Sequence, residues 1–265
     1  MKGKRARIVL ALAVVAFVGG VVWLELQPKE PVYERKGLSE WLEDYINLPP
    51  DELEKANQAV RHIGTNAVPT LLRYLQAKDS PLTDRLFALA QKQHFIKVYH
   101  ISARERQFEG ALGFRGLGAK AKDAIPLLRK LYEDATPEGR ARIAWALGEI
   151  GPEAKSTIPL LLRALGDANV ELRASAAHAL GGIHAEPELA VPALIQCLQS
   201  QNRDLPRIAA DALGKFGADA QPAVPALVQL LNRKDSEIQM AGSRALRLID
   251  SETAAKAGVQ LKKEP

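Results

Sequence analysis

The chain has 265 residues, and its net charge of +5 would suit a nucleic acid or a membrane surface if the charge were spread evenly. Four basic residues, however, lie within positions 1–7, and positions 8–265 keep 32 basic and 31 acidic side chains. The body of the chain therefore has no overall bias towards polyanions, and its single cysteine, Cys197, excludes an intrachain disulfide.

The N-terminus is predicted to be a membrane anchor. Seventeen non-ionisable, mostly apolar residues run from Ile8 to Leu24 after the basic start, and about 17–25 residues are needed to span a bilayer. Trp23 suits the membrane interface, and the basic residues place positions 1–7 in the cytoplasm. We expect an uncleaved signal anchor in a bacterial inner membrane, with the rest of the chain on the periplasmic side. A cleaved signal peptide and secretion are the alternative, although no small-x-small cleavage site follows the apolar run.

Residues 25–50 are predicted to be a linker and an N-terminal cap. Four prolines surround a short amphipathic segment. Ser39 is a candidate helix cap, and Trp41, Leu42 and Tyr45 have the spacing to cover the next element.

Residues 51–250 are dominated by a 33-residue period. Four prolines are each 33 residues apart, at positions 126, 159, 192 and 225. The same step separates five residue pairs that begin with a large apolar residue: Leu117-Gly118, Ile150-Gly151, Ile183-His184, Phe216-Gly217 and Ile249-Asp250. Each unit predicts two helices: the first is rich in alanine and ends at a glycine such as Gly151, and the second begins at a proline such as Pro159. Such a period indicates stacked helix pairs, in which each unit buries its apolar face against its neighbours.

In this pattern the chain resembles the HEAT-repeat family, particularly the short bacterial repeats of phycobilin lyases. The resemblance implies an all-α fold, an α-solenoid of stacked antiparallel helix pairs, preceded here by the transmembrane or signal-anchor helix. The segment from Tyr33 through Gly37 to Trp41 is also similar to a leader found before the repeats of exported bacterial HEAT proteins.

Two departures from the period fall at the ends of the array. Gly64 lies 54 residues before Gly118, so about 21 residues are inserted, and we place an additional helix around residues 77–102. At the C-terminus Gly258 occupies the proline position, which predicts a truncated last repeat and tail over residues 251–265.

Catalytic and metal-binding motifs are not recognisable. The five histidines, at positions 62, 94, 100, 178 and 184, form neither an H-x-x-x-H nor an H-E-x-x-H pair. They also lack the His-Glu dipeptides through which HEAT-fold deoxyhypusine hydroxylases bind iron. We therefore expect no metal, no cofactor and no enzymatic activity. A lyase or chaperone-like lyase related to the phycobilin lyases is the enzymatic alternative, but shared scaffold residues do not transfer function.

Two features suggest where a protein or peptide partner binds. The residue four places after each helix-opening proline is long and polar, and we call this set the polar ladder: Arg73, Lys130, Arg163, Gln196 and Gln229. We expect the second helices to line the concave face, where the ladder would favour an acidic partner; the alternative is that these positions are merely solvated. Trp145 is the second feature, because its equivalents are the polar residues His178, Asp211 and Arg244. It is either a binding anchor on the convex side or is covered by the next repeat.

The expected function is a non-catalytic, membrane-anchored scaffold for protein–protein interaction outside the cytoplasm. Residues 81–132 carry ten basic and four acidic side chains, which leaves a polyanion binder as a further alternative. An export signal argues against nucleic acid as the partner.

Overall fold

A computed structural model describes residues 30–47, 49, 53–81, 85 and 101–257. The described chain begins with a small antiparallel hairpin, β1 (Val32–Tyr33) and β2 (Lys36–Gly37), followed by helix α1 (Leu38–Asn47). The array of helix pairs follows. Its first helices are α2 (Leu53–Ile63), α4 (Ala103–Leu117), α6 (Pro137–Ile150), α8 (Val170–Ile183), α10 (Asp204–Lys215) and α12 (Ser236–Ile249). Its second helices are α3 (Val68–Leu75), α5 (Ile125–Asp134), α7 (Ile158–Ala164), α9 (Pro187–Cys197) and α11 (Val224–Leu230). A last helix, α13 (Ser251–Lys256), lies at the positions that form a 3-10 turn in other repeats, such as Pro152–Thr157.

The hairpin and α1 cover the first repeat. Leu38 and Leu42 are fully buried, and the Trp41 indole Nε1 donates a hydrogen bond to the carbonyl oxygen of Tyr33 at 3.2 Å. Ser39 lies inside α1 and is not the helix cap that the sequence suggests. Its backbone N–H and its hydroxyl both donate to the carboxylate of Glu30, at 2.9 and 2.8 Å, so a preceding carboxylate satisfies this end of the helix.

The repeat boundaries follow from local backbone chemistry. Side chains of Ser102, Thr136, Asn169 and Asp235 accept hydrogen bonds from backbone N–H groups in the first turns of α4, α6, α8 and α12. Glycines with positive φ end α4 and α6, as the sequence predicts, at Gly118 (51°) and Gly151 (84°). His184 holds the equivalent left-handed position after α8, with φ 49°.

One continuous core runs through the described array, from Leu38 to Ala254. Each second helix packs mainly on the first helix of the following repeat, and successive first helices stack directly on one another. This arrangement is the predicted solenoid, in which the core grows with the number of repeats.

The first helices approach one another closely because small residues meet at their interfaces. A Cβ atom on Gly148 would lie 2.6 Å from the Cα of Ala179, and one on Gly181 would lie 2.7 Å from the Cα of Ala212. Neighbouring second helices, in contrast, make few contacts with each other. The first helices therefore form the closely packed side of the array, which we call the inner side, and the second helices form its outer side. The expectation that the second helices line the concave face stays a prediction.

Several predicted segments fall outside the described residues. The predicted anchor at residues 8–24 lies entirely outside the described residues. Most of the predicted inserted helix at residues 77–102 also lies outside them, and the described residues Pro81 and Arg85 are helical. None of the described helices combines the length and apolar character that crossing a membrane requires. At the C-terminus α13 follows α12 directly, its first turn is capped by Asp250, and Ala254 is buried. Residues 258–265 lie beyond the described chain.

Candidate partner-binding surface

The inner side of the array carries a continuous row of side chains from four successive first helices. We call Trp145, His178, Asp211 and Arg244 the inner row. The Trp145 and His178 rings stack with centroids 3.8 Å apart and planes 5° from parallel. At the other end both Nε and Nη2 of Arg244 donate to Asp211 Oδ1, at 3.2 and 2.7 Å. The 33-residue step therefore places each residue of the row beside its counterpart in the next repeat.

A mostly buried carboxylate fixes the position of His178. Glu149 accepts two hydrogen bonds from the Arg115 guanidinium, at 2.9 and 3.0 Å, and its Oε1 lies 3.1 Å from His178 Nε2. Burial alone would raise the pKa of Glu149, but the hydrogen bonds from His178 and Arg115 lower it to about 2. The carboxylate is thus charged at neutral pH and links helices α4, α6 and α8.

Trp145 is neither fully exposed nor fully covered. Its ring is half-buried against His178, and its indole Nε1 is buried without a hydrogen-bond partner among the residues that the structure describes. The sequence leaves open whether Trp145 is a binding anchor or is covered by the next repeat. One face of the ring is covered, because it stacks on His178 of that repeat. The rest of the ring lines a cavity of about 190 Å³ together with Arg207, Ile208 and Lys215.

A second cavity continues the first towards the C-terminal end of the array. It measures about 400 Å³, and His178, Asp211 and Lys215 border it on one side and Arg244 and Leu248 on the other. The two cavities share His178, Asp211 and Lys215, so they form one groove across α6, α8, α10 and α12. We call this the inner groove.

The N-terminal part of the inner side contains buried charges that sequence reasoning missed. Arg142 is 8% exposed and pairs with Glu171 at 2.6 Å, and its guanidinium lies over the Phe108 ring at 5.3 Å. Glu109, in the equivalent position of α4, is 2% exposed, and burial followed by repulsion from Glu43 and Glu105 raises its pKa to about 7. The equivalent positions in the next two repeats are Ser175 and Ile208. No shared residue type marks the position in the sequence, and only the fold shows that these charges are buried.

The polar ladder lies on the second helices, away from the inner row. All five side chains are exposed, as the sequence predicts for that position. Arg73 borders a cavity of about 790 Å³ between α1, α3 and α4, and Gln196 borders another of about 400 Å³ beside Cys197. Because the second helices lie on the outer side, the ladder and Trp145 do not form one site. A binding role for the ladder stays a prediction.

The histidines of the described chain pack against aromatic rings. His62 stacks on Tyr33 with centroids 4.7 Å apart, and His184 meets the edge of Phe216 at 5.0 Å. His94 and His100 lie outside the described residues. Within the described ranges no three potential metal-ligating side chains come together, and the absence of a metal or cofactor stays a prediction. Burial raises the pKa of the Cys197 thiol to about 11, which disfavours the reactive thiolate.

Solved structures of designed and engineered proteins are similar to the chain at low sequence identity. A designed armadillo repeat protein in complex with the peptide (KR)4 is 17% identical and covers 80% of this chain and 99% of its own, with a TM-score of 0.47. An engineered protein is 21% identical and covers 83% and 97% of the two chains, also with a TM-score of 0.47. No curated protein sequence matches the chain.

The sequence itself matches a known repeat family. The profile of HEAT repeats aligns with residues 125–193 and 191–257, which together make up half of the chain. These ranges contain helices α5 to α13, with the whole inner row and all the residues that line the inner groove. The chain belongs to the HEAT-repeat family.

Proposed function

We propose that the chain is a non-catalytic scaffold that holds another protein on the inner side of its first helices. The inner row carries this proposal. Four consecutive repeats present side chains that are stacked or ion-paired in fixed positions and still reach the surface. Pre-positioned side chains lose little conformational freedom when a partner binds, which improves affinity without requiring a large interface.

The chemistry of the inner groove supports a protein partner. It combines an aromatic ring, aliphatic side chains and charged groups of both signs within one continuous depression. Interfaces between proteins are enriched in aromatic residues and arginine at their centres and are polar at their rims.

We also propose that residues 8–24 anchor the scaffold in the cytoplasmic membrane, with the array on the outer side. The basic residues before the apolar run and its length support this topology. Replacing Val14 and Val15 with arginine is expected to move the full-length protein from the membrane fraction to the soluble or degraded fractions, because each charge costs about 2.5–3.5 kcal/mol at a membrane centre. Unchanged membrane association in carbonate-washed membranes would contradict the proposed anchor.

The inner side is expected to crosslink to the partner, whereas the outer side is not. Met240 on α12 and Leu127 on α5 are matched probes, since their side chains are 58% and 51% exposed on first and second helices respectively. A photoreactive residue at position 240 of the membrane-bound protein should give a discrete crosslinked species, and the same residue at position 127 should give at least tenfold less. Mass spectrometry of the crosslinked species then identifies the partner.

Two results would reject the scaffold proposal. One is that neither position crosslinks to any polypeptide in cells that contain the intact protein. The other is that the purified protein carries a bound chromophore, detected by its visible absorbance, or transfers one to an acceptor, which would favour the lyase alternative.

A further inference from the structure

The charges of the inner groove do not cancel. Asp211 is paired with Arg244, and Glu149 beside the groove is paired with Arg115. Two cations remain. Lys215 is exposed and forms no ion pair with any described residue, and Arg207 reaches only Asp204, at 3.8 Å across a surface that is open to solvent. The groove therefore presents two cations that its own acidic groups do not neutralise.

Apolar side chains lie alongside these cations. Ile208 is half-buried in the groove beside Trp145, and the Leu248 side chain is 62% exposed at its other end. A ligand that offers only negative charge would leave these surfaces in contact with water. A ligand with aliphatic groups near its anionic groups would cover them, which is favourable because apolar area is removed from water.

Acidic groups around the groove discriminate against a uniform polyanion. Each first helix of this region begins with a carboxylate in its first turn: Glu138, Glu171, Asp204 and Glu237. Glu171 and Glu237 are paired with Arg142 and Arg203, at 2.6 and 3.3 Å. The carboxylates of Glu138 and Asp204 remain to repel the phosphates of a nucleic acid lying across the array. A short segment with separated carboxylates can engage the two cations and avoid this edge.

We infer that the inner groove binds an extended acidic segment of a protein partner, with one carboxylate at Arg207 and a second at Lys215 and an aliphatic residue between them. This inference rests on the proposed scaffold function and names the chemistry of its partner. Arg207 and Lys215 lie eight residues apart on α10, a separation of about 12 Å at 1.5 Å per residue. An extended chain covers this distance in about four residues, at roughly 3.3 Å per residue.

The test is a peptide-binding measurement on the full-length protein in detergent. The probe is a fluorescein-labelled nonapeptide, Ser-Gly-Glu-Ala-Leu-Ala-Glu-Gly-Ser, and its control has glutamine in place of both glutamates. We expect fluorescence anisotropy to show at least tenfold tighter binding of the glutamate peptide in low salt. Replacing Arg207 and Lys215 together with glutamine should weaken that binding by tenfold or more, because two charge-assisted contacts are lost.

A matched variant controls for the loss of positive charge. Replacing Arg35 and Lys155 with glutamine removes the same charge from exposed positions that do not line the groove and should change peptide affinity less than twofold. Equal losses in the two double variants would reject the groove as the site. If the glutamine peptide binds as tightly as the glutamate peptide, the groove does not recognise carboxylates. If a nine-residue oligothymidylate binds as tightly as the glutamate peptide, the groove is a general polyanion site and the inference is rejected.

The inference and the scaffold proposal fail separately. If crosslinking from position 240 still captures a partner while the glutamate peptide does not bind, the acidic-segment inference is wrong and the scaffold function stands. If both measurements are negative, the scaffold proposal is also rejected.

Discussion

Replacing Gly148 with alanine is expected to lower the free energy of unfolding, although alanine is the better helix former. The substitution favours the isolated helix by about 1 kcal/mol. The new methyl group, however, would lie 2.6 Å from the Cα of Ala179 and 3.3 Å from its backbone nitrogen. Backbone atoms cannot rotate away as a side chain does, so α8 must shift away from α6. Overpacking of this kind costs about 1–3 kcal/mol and occasionally more. Because the contact is with backbone, we expect a cost at the upper end of this range and therefore a net loss of about 2 kcal/mol.

The measurement combines denaturant unfolding of the full-length protein in detergent with hydrogen exchange of α6 and α8. Exchange should accelerate at this interface first, because each repeat is stabilised mainly by its neighbours. Gly166 is the control. It lies in the exposed turn after α7, and a Cβ there would meet nothing closer than 3.5 Å. Its replacement with alanine should leave stability within about 0.5 kcal/mol of the parent. Equal effects at the two glycines would contradict the close approach of the first helices.

Replacing Glu149 with glutamine is expected to destabilise the array by about 2 kcal/mol at neutral pH, since the substitution removes charged hydrogen bonds from a mostly buried group. The neutral amide cannot accept both guanidinium donors of Arg115 as the carboxylate does. Glu54→Gln is the matched control, because the Glu54–Arg61 pair is about half exposed on both sides. Exposed pairs contribute about 0–1 kcal/mol, so this control should change the unfolding midpoint little.

The effect of Glu149→Gln should depend on pH in a defined direction. The pKa of Glu149 in the folded chain, about 2, is lower than its ordinary value of 4.5, so the folded state binds fewer protons than the unfolded state between these values. The stabilisation is therefore fully present above about pH 5 and is lost as the pH falls towards 2. Denaturant midpoints of parent and variant should converge on acidification. A constant difference down to pH 2 would show that the ionised carboxylate is not the stabilising group.

The periodic residues predicted the architecture but not which set of helices packs more closely. Pro126, Pro159 and Pro225 lie in the first turns of α5, α7 and α11, and glycines such as Gly151 end first helices, because their backbone constraints act locally. Pro192 is the exception, since α9 begins five residues earlier, at Pro187. The close approach of the first helices depends instead on pairs such as Gly148 and Ala179, whose significance appears only when two residues 31 positions apart are known to touch.

The candidate surface was predictable only in part, because the sequence does not show which side chains of different repeats touch. The 33-residue overlay identified Trp145 and its three equivalents as one position, and the structure shows that they are neighbours in one row. Glu149 was not identified, because its partners Arg115 and His178 come from two other repeats at offsets that differ from the period. An interaction between residues at different positions of the 33-residue repeat leaves no periodic signal in the sequence.

The pairing along the inner row makes the order of the repeats chemically meaningful. Loss of one 33-residue unit, such as residues 151–183, would set Gly148 against Ala212, and two small residues would still meet. The same deletion would set Trp145 beside Asp211 and remove the histidine that connects them. We therefore expect the helix stacking to be retained when a whole unit is lost or duplicated, whereas the contacts along the inner row are not. Selection on function would then act on the number and order of the units.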